Sequence, residues 1–315
     1  RPAVQVPTFM VTRALTKLAT TALRRRLFHS MAVESNKNEQ STLEMIESVV
    51  SFISQFPSCV VAMSAGVDSG VVAKAASLAL GDSALAVTAD SPSLASGELQ
   101  QARQLAKLIG IRHQVVQTQE IENPNYVSNQ GDRCYHCKSE LYQQLDLLTG
   151  YSSDEVLLNG TNTEDLGDYR PGLIAAEENK VRSPLAECGI DKAGVRAMAL
   201  HWNLPIWDKP ASPCLSSRIA YGEEVTAERL QRIDQAEQFL KEQGISPVRV
   251  RFHRGDLARI EVPVEFVEKL AANPLRAEIE QFFRSIGFQF IALDLAGFQS
   301  GNLNKLLQIE LPEPA

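Results

Sequence analysis

The sequence has no long apolar run, few cysteines and few aromatic residues. No stretch approaches the roughly 20 apolar residues that a membrane-spanning helix needs, so we expect no membrane association and a cytoplasmic protein. Five cysteines among 315 residues are an odd and sparse set, which argues against the disulfide framework of a small secreted domain. The thiols are therefore expected to be reduced and free for chemistry or for metal binding.

Acidic residues are absent from the first 33 positions, where six arginines and lysines occur. The whole chain nevertheless has a net charge of −7, so its body is acidic and unsuited to a broad nucleic-acid surface. We expect residues 1–40 to form a disordered basic arm. Two interpretations of that arm stay open, an organelle transit peptide and an over-extended gene start, and we favour the second.

Apolar patterning alternates between strand-like and helix-like segments over residues 41–220. Expected strands cover 59–63, 84–88, 111–117 and 155–158, and expected helices cover 41–56, 68–80, 96–109, 135–148 and 191–202. This order predicts an α/β domain with a parallel sheet between helical layers, whose ligands sit beyond the carboxyl ends of the strands.

The pattern changes after residue 220. A helix is expected over 226–243, strands over 247–252, 258–262 and 288–293, and helices near 263–271 and 274–286. We therefore predict a smaller α+β domain over 221–315, with a role in substrate binding or oligomerisation.

Residues 64–69 read Ser-Ala-Gly-Val-Asp-Ser and directly follow an apolar strand. A tight turn into a helix N-terminus offers backbone N–H groups to phosphate. The loop resembles the pyrophosphate (PP) loop of enzymes that split ATP between its α- and β-phosphates. The resemblance assigns ATP binding to Ser64, Gly66, Val67, Asp68 and Ser69. Ala65 departs from the usual glycine, and if this position needs a positive φ it costs about 1 kcal/mol and reduces nucleotide affinity.

A second polar run follows the expected strand at 155–158. Gly160, Thr161 and Asp165 begin this run of hydroxyl and carboxylate side chains. Mg²⁺ takes oxygen ligands and commonly only one or two carboxylates. We expect this run to meet ATP and its Mg²⁺ at the carboxyl edge of the sheet.

Three cysteines form the other candidate constellation. Cys134 and Cys137 make a C-x-x-C motif at the start of a helix, and Cys214 lies 77 positions after Cys137. The motif alone fits a redox pair, half of a zinc site or part of an iron–sulfur cluster, and three thiolates fit a [4Fe–4S] cluster with one open iron. Cys214 also suits a nucleophile whose pKa Arg218 lowers.

The second domain adds charged candidates. Arg249 and Arg251 alternate on an expected strand, so both point to one face and are positioned to bind a substrate phosphate. Glu237 on the preceding helix and Glu261 are weaker candidates for an acid, a base or a metal ligand.

Taken together, these motifs resemble the LarE family of ATP-dependent sulfur transferases, over roughly residues 41–295. The segments that carry the resemblance are 64–69, 133–138, 160–172, 181–185, 207–210 and 214–222. It implies a Rossmann-like PP-loop fold of the adenine nucleotide alpha-hydrolase type, ATP with Mg²⁺, and a homo-oligomer. The implied substrate is a pyridinium-3,5-biscarboxylic acid mononucleotide, whose carboxylates become thiocarboxylates of a nickel-pincer cofactor.

Within that family the resemblance implies two sulfur sources. In one branch a cysteine at the position of Cys214 gives up its own sulfur. In the other it joins a C-x-x-C pair to hold a [4Fe–4S] cluster that carries sulfide, and the presence of Cys134 and Cys137 favours this second branch. Two alternatives stay open: another ATP-splitting enzyme, such as an NAD synthetase-like synthetase or a tRNA thiolase, and a non-catalytic iron–sulfur or zinc carrier.

Overall fold

The computed structural model of the chain describes residues 39–149, 155–167 and 170–299. The expected basic arm lies outside these ranges except for residues 39 and 40, as do Asp168 and Tyr169 of the second polar run. In chain order the elements up to residue 201 are α1 (39–53), β1 (Ser58–Ala62), α2 (Val67–Leu80), β2 (Ala84–Asp90), α3 (Glu98–Ile109), β3 (Arg112–Gln117), α4 (Pro124–Val127), α5 (Arg133–Thr149), β4 (Glu155–Leu158), α6 (Pro171–Glu178), α7 (Pro184–Glu187) and α8 (Lys192–His201). They are followed by α9 (Ala227–Glu242), β5 (Arg249–His253), β6 (Leu257–Glu261), α10 (Val267–Ala271), α11 (Leu275–Ser285) and β7 (Phe290–Leu293).

The first four strands form a parallel sheet in the order β3-β2-β1-β4. Successive side chains of a strand point to opposite faces, and both faces of β1 are apolar. Cys59 and Val61 pack with α1, α2, α3 and α8 on one side, whereas Val60 packs with α5 and α6 on the other. The predicted α/β class, with a parallel sheet covered on both faces, is confirmed.

Parallel strands end at the same edge of the sheet, and this positions the candidate site. The loop after β1 leads into α2, and the loop after β4 lies beside it, because β1 and β4 pair from Ser58 opposite Glu155 to Val61 opposite Leu158. The two polar runs of the sequence analysis, at 64–69 and from residue 160 onward, therefore meet at one edge.

A second sheet has the order β5-β6-β7, in which β6 is antiparallel to β5 and parallel to β7. Helix α9 packs on it, and begins where the side chain of Thr226 accepts a hydrogen bond from the N–H of Arg229 at 3.2 Å. The core on this sheet also takes in Ala95 and Tyr126 from the first half of the chain.

The helices and strands lie close to the predicted ones, with three additions. The short helices α4, α6 and α7 were not predicted. The domain boundary at residue 220 remains a prediction. Leu215 and Ile219, which precede this boundary in the sequence, already pack in the core of the second sheet. Within the described residues, no helix combines the length and apolar character that a bilayer crossing takes.

Gly160 makes the closest approach between the two loops. A Cβ atom at this position would lie 2.7 Å from the backbone nitrogen of Ser69 and 3.0 Å from the carbonyl carbon of Asp68. Both atoms belong to the backbone of the first turn of α2, which cannot rotate away as a side chain would. The loop after β4 packs against α2 only because residue 160 has no side chain.

We predict that Gly160→Ala lowers the free energy of unfolding by about 1–3 kcal/mol, because the added methyl group forces the loop and α2 apart. Urea denaturation measures this loss. Gly167→Ala is the matched control, since a Cβ there meets no heavy atom within 4 Å, and its effect is expected to stay within about 0.5 kcal/mol. Equal losses in the two variants would contradict the close-packing argument.

Candidate active site

The pyrophosphate loop, residues 64–69, is closed by hydrogen bonds around Ser69. The Ser69 hydroxyl accepts from the N–H of Ser64 at 3.1 Å and donates to the carbonyl of Gly66 at 3.2 Å. Gly66 is the N-cap of α2 and provides no side-chain cap. No side chain of the N-cap therefore accepts hydrogen bonds from the first N–H groups of this 14-residue helix. Such N–H groups are able to bind an anion.

Ala65 has the positive φ that the sequence analysis considered. Its φ is +57° and its side chain is buried, so the conformation costs about 1 kcal/mol relative to glycine. Its carbonyl oxygen lies 3.3 Å from the Nζ atom of Lys209. Lys209 also binds Glu98 and Gln101 of α3, each at 2.8 Å, and so ties the chain near residue 209 to the pyrophosphate loop.

Asp68 is held by two side chains that sequence reasoning missed as site residues. Its carboxylate accepts from the Nζ atom of Lys192 at 2.5 Å and from the side-chain amide of Asn162 at 3.0 Å. Lys192 lies 124 positions away, at the start of α8. No local pattern marks such a long-range contact, although Asn162 was part of the polar run.

The other predicted nucleotide residues lie beside this loop. The N–H of Thr161 donates to Asn159 at 3.0 Å. Asp165 accepts from the N–H of Asn162 at 3.1 Å and pairs with Arg170. Both carboxylates thus have protein partners, and Asp165 is 18% and Asp68 25% exposed. Asp165 binds within its own loop, whereas Asp68 lies in the pyrophosphate loop itself. Of the two carboxylates, Asp68 fits better as a ligand for a Mg²⁺ ion that arrives with ATP phosphates.

The three predicted site cysteines come within electrostatic reach of one another. Cys134 and Cys137 occupy the first turns of α5, and Cys214 directly precedes the 3-10 turn Leu215–Arg218. Desolvation by the surrounding protein raises the pKa of Cys134 and, to about 12, that of Cys137, and the Cys214 sulfur adds to both shifts. Cys134 and Cys214 are exposed, and Cys137 is half-buried.

Residues 209–218 are called the Cys214 segment. Hydrogen bonds between buried polar groups join this segment to the start of α5. Arg133 donates to the carbonyl of Ser216 at 2.8 Å and also binds the side chain of Asn129. The Tyr126 hydroxyl lies 2.5 Å from the Ser216 hydroxyl. Burial lowers the pKa of Arg133, but the thiols of Cys214 and Cys134 outweigh this and the net pKa is raised.

The thiols are also the candidate metal ligands of the sequence analysis. Over the described ranges, no three Cys, His, Asp or Glu side chains are grouped so that they could hold a metal ion. The [4Fe–4S] cluster that the sequence analysis favoured for Cys134, Cys137 and Cys214 stays a prediction. The charges of Arg133 and Lys138 act on Cys134, so the thiols have two basic neighbours. Cys59 is buried in the first core and lies apart from this site.

Arg218 and Glu237, predicted as catalytic, are bound to each other inside the protein. Both side chains are 1% exposed, and the Nε atom of Arg218 lies 2.9 Å from a Glu237 oxygen. Arg218 also donates to the carbonyls of Pro213 at 2.5 Å and Cys214 at 3.0 Å. This geometry gives the pair a positioning role behind Cys214 and leaves neither group facing a substrate.

The two arginines of β5 differ in what they bind. Arg251 is 6% exposed, pairs with Glu261 at 2.8 Å and donates to the carbonyl of Ser217 at 2.9 Å. Arg249 donates only to the carbonyls of Val248 and Ala211, and among the described residues it has no carboxylate partner. Burial lowers the pKa of Arg249 to about 10, and Arg218 contributes to the shift. The pair does not act together, and Arg249 is the one left for an anion.

Comparison with known proteins gives a family match and a similar enzyme. Residues 39–140 match the NAD synthase family. The chain is 36% identical to the pyridinium-3,5-bisthiocarboxylic acid mononucleotide synthase of Lactiplantibacillus plantarum over 249 residues, which cover 78% of this chain and 89% of the relative.

Two uncharacterized relatives extend the comparison. A protein of Synechocystis sp. is 48% identical over 265 residues, which cover 83% of this chain and 97% of that protein. A protein of Methanocaldococcus jannaschii is 28% identical over 243 residues, which cover 76% and 90% of the two chains. Because the synthase relative is 36% identical and is matched over most of both chains, the chain belongs to the LarE family of ATP-using PP-loop enzymes.

Proposed function

We propose that this enzyme adenylates the carboxylates of a pyridinium-3,5-biscarboxylic acid mononucleotide and converts each of them to a thiocarboxylate with the sulfur of one Cys214. Each chain supplies one sulfur, so the two carboxylates of one substrate consume two copies of the chain. One observation carries the proposal. Lys209, at the start of the Cys214 segment, binds the Ala65 carbonyl of the pyrophosphate loop, so the sulfur lies five positions along the chain from a group that contacts the nucleotide site. A nucleotide site and an exposed thiol in this arrangement suit two consecutive reactions on one carboxylate.

The first step makes an inert acid reactive. A substrate carboxylate oxygen attacks the α-phosphorus of ATP, the bond to the β-phosphate oxygen breaks, and pyrophosphate leaves. The open N-terminus of α2 stabilises the developing negative charge. Lys192 supplies a further cation once pyrophosphate oxygens compete with Asp68 for it. Mg²⁺ held by Asp68 and by phosphate oxygens would neutralise the remaining charge.

The second step moves sulfur. The Cys214 thiolate attacks the carbonyl carbon of the acyl adenylate, and AMP leaves with the electron pair of the C–O bond. Loss of the α-proton of Cys214 then breaks its Cβ–S bond. This yields a thiocarboxylate and a dehydroalanine at residue 214. Neither product needs an outside oxidant or reductant, because the sulfur leaves with the bonding electrons.

Two cations that lack a carboxylate partner among the described residues suit the anionic substrate. Arg249 lies next to Ala211 of the Cys214 segment, and Lys138 is exposed beside the thiols. Desolvation by the surrounding protein lowers the pKa of Lys138, but Tyr142, Cys137 and Cys134 raise it overall, so Lys138 stays charged. We assign the substrate phosphate to Arg249 and a carboxylate to Lys138.

The first test removes the sulfur. Cys214→Ala is expected to abolish thiocarboxylate formation while substrate-dependent pyrophosphate release continues, because adenylation uses no thiol. Cys188→Ala is the control and should leave both rates unchanged. Intact mass before and after turnover of the unmodified enzyme should fall by one sulfur and two hydrogens.

Each other outcome counts against part of the proposal. Undiminished thiocarboxylate in Cys214→Ala would refute sulfur transfer by this residue. An unchanged mass after turnover, with about four irons per chain in anaerobically purified enzyme, would replace the cysteine sulfur with cluster-bound sulfide. Turnover only with ammonia would support an amide-forming synthetase instead.

The second test addresses the substrate phosphate. Arg249→Met is expected to raise KM for the pyridinium substrate by about tenfold or more, equivalent to the loss of a charge-assisted contact, with KM for ATP unchanged. Arg254→Met is the control, since Arg254 is exposed on the turn after β5. Because each chain gives up its sulfur once, both constants are taken from the dependence of single-turnover rates on the concentration of each substrate. A rise in KM for ATP alone would place Arg249 at the nucleotide instead.

A further inference from the structure

Glu120 is a buried carboxylate that the proposed reaction does not use. It begins the 3-10 turn Glu120–Glu122 after β3 and is 2% exposed. One of its oxygens accepts a hydrogen bond from the Ser93 hydroxyl at 3.0 Å. The other oxygen is buried and has no hydrogen-bond partner within the described ranges. Because a buried carboxylate without a counter-charge is unfavourable, its presence at this place needs an explanation.

Ser93 connects Glu120 to the Cys214 segment. While the Ser93 hydroxyl donates to Glu120, the Ser93 carbonyl accepts from the N–H of Leu215 at 2.8 Å. Leu215 directly follows Cys214. The carboxylate is therefore two hydrogen bonds away from the peptide unit that carries the reactive sulfur.

Glu120 sets the direction of the hydrogen bonds in this turn. Its Oε1 atom accepts from the Ser93 hydroxyl, which therefore donates. The Ser93 oxygen is then left to accept from the Ser91 hydroxyl, which lies 2.8 Å away. The turn after β2 is thereby fixed in one arrangement at the carboxyl edge of the sheet, where the pyrophosphate loop also lies.

The neighbours of Glu120 place it behind the thiols. After burial, which is the largest cause, its negative charge contributes to the raised pKa values of Cys137 and Tyr126. Tyr126 in turn contacts Ser216 of the Cys214 segment. Glu120 is thus buried within electrostatic reach of Cys137 and Tyr126, whereas Cys214 is exposed.

We propose that Glu120 is a positioning residue for the sulfur step. Through Ser93 it holds Leu215, and with it Cys214, at the place where the adenylated carboxylate forms. No bond to Glu120 is made or broken in the reaction. The inference rests on the proposed function, since it assigns a role within that same sulfur transfer.

The test compares two products of one turnover, thiocarboxylate and pyrophosphate, in Glu120→Leu, Ser93→Ala and Glu120→Gln. Leucine at 120 and alanine at 93 remove the Glu120–Ser93 hydrogen bond, so thiocarboxylate formed per pyrophosphate should fall by about tenfold or more, with KM for ATP unchanged. Glutamine keeps a carbonyl acceptor for Ser93 and should retain the wild-type ratio. A merely structural role would lower both products together. An unchanged ratio in the first two variants, or an equal loss in Glu120→Gln, would overturn the proposal.

A second readout needs no turnover. The rate at which iodoacetamide alkylates Cys214 in the resting enzyme should change by about threefold or more in Glu120→Leu and Ser93→Ala, with Cys188 as the internal reference. Equal rates would count against the proposal. If thermal melting shows that Glu120→Leu does not fold, the test compares Ser93→Ala with Glu120→Gln. The amount of thiocarboxylate formed per pyrophosphate in these two variants then decides between the outcomes. A wild-type enzyme that releases no pyrophosphate would refute the proposed function, and the alkylation rates would still test the role of Glu120.

Discussion

The buried ion pair between Arg218 and Glu237 is the contact on which the thiol site depends. Arg218 donates to Glu237 and to the carbonyls of Pro213 and Cys214, so a single guanidinium joins the backbone around the reactive sulfur to α9. Removing either partner would leave a charge buried without its counter-charge, which costs about 3–5 kcal/mol. The position of Cys214 is therefore set by a group that cannot move without exposing that ion pair.

The ion pair between Lys192 and Asp68, at the pyrophosphate loop, differs from this buried pair in its exposure. Lys192 and Asp68 are each about a quarter exposed, and an exposed pair contributes only about 0–1 kcal/mol. Phosphate oxygens and Mg²⁺ are able to replace such a partner, whereas they cannot replace Glu237. The site thus combines a thiol segment that is held by buried charges with nucleotide groups whose partners exchange easily. That combination suits an enzyme in which pyrophosphate leaves before sulfur moves.

Sequence patterning predicted the sheet and the two loops because both are local properties. Buried strands are recognisable as short apolar runs, and residues 64–69 are contiguous. The partners of those loops are not local. Lys192 reaches Asp68 from 124 positions away, and the roles of Arg218 and Arg251 changed because Glu237 and Glu261 bind them inside the protein. Helix α6 did have a local signal, a proline at its first turn, which the motif interpretation of that region passed over.

Ala65 shows how a departure from a family motif is accommodated. Its positive φ costs about 1 kcal/mol relative to glycine, but its methyl group is 1% exposed within the first core, and burying one such group contributes about 0.8 kcal/mol. The two effects nearly cancel, so the loop keeps the conformation that a glycine would give it. That conformation also sets the direction of the Ala65 carbonyl, which Lys209 binds at 3.3 Å. Because Lys209 begins the Cys214 segment, the backbone of the nucleotide loop contributes to the placement of the sulfur.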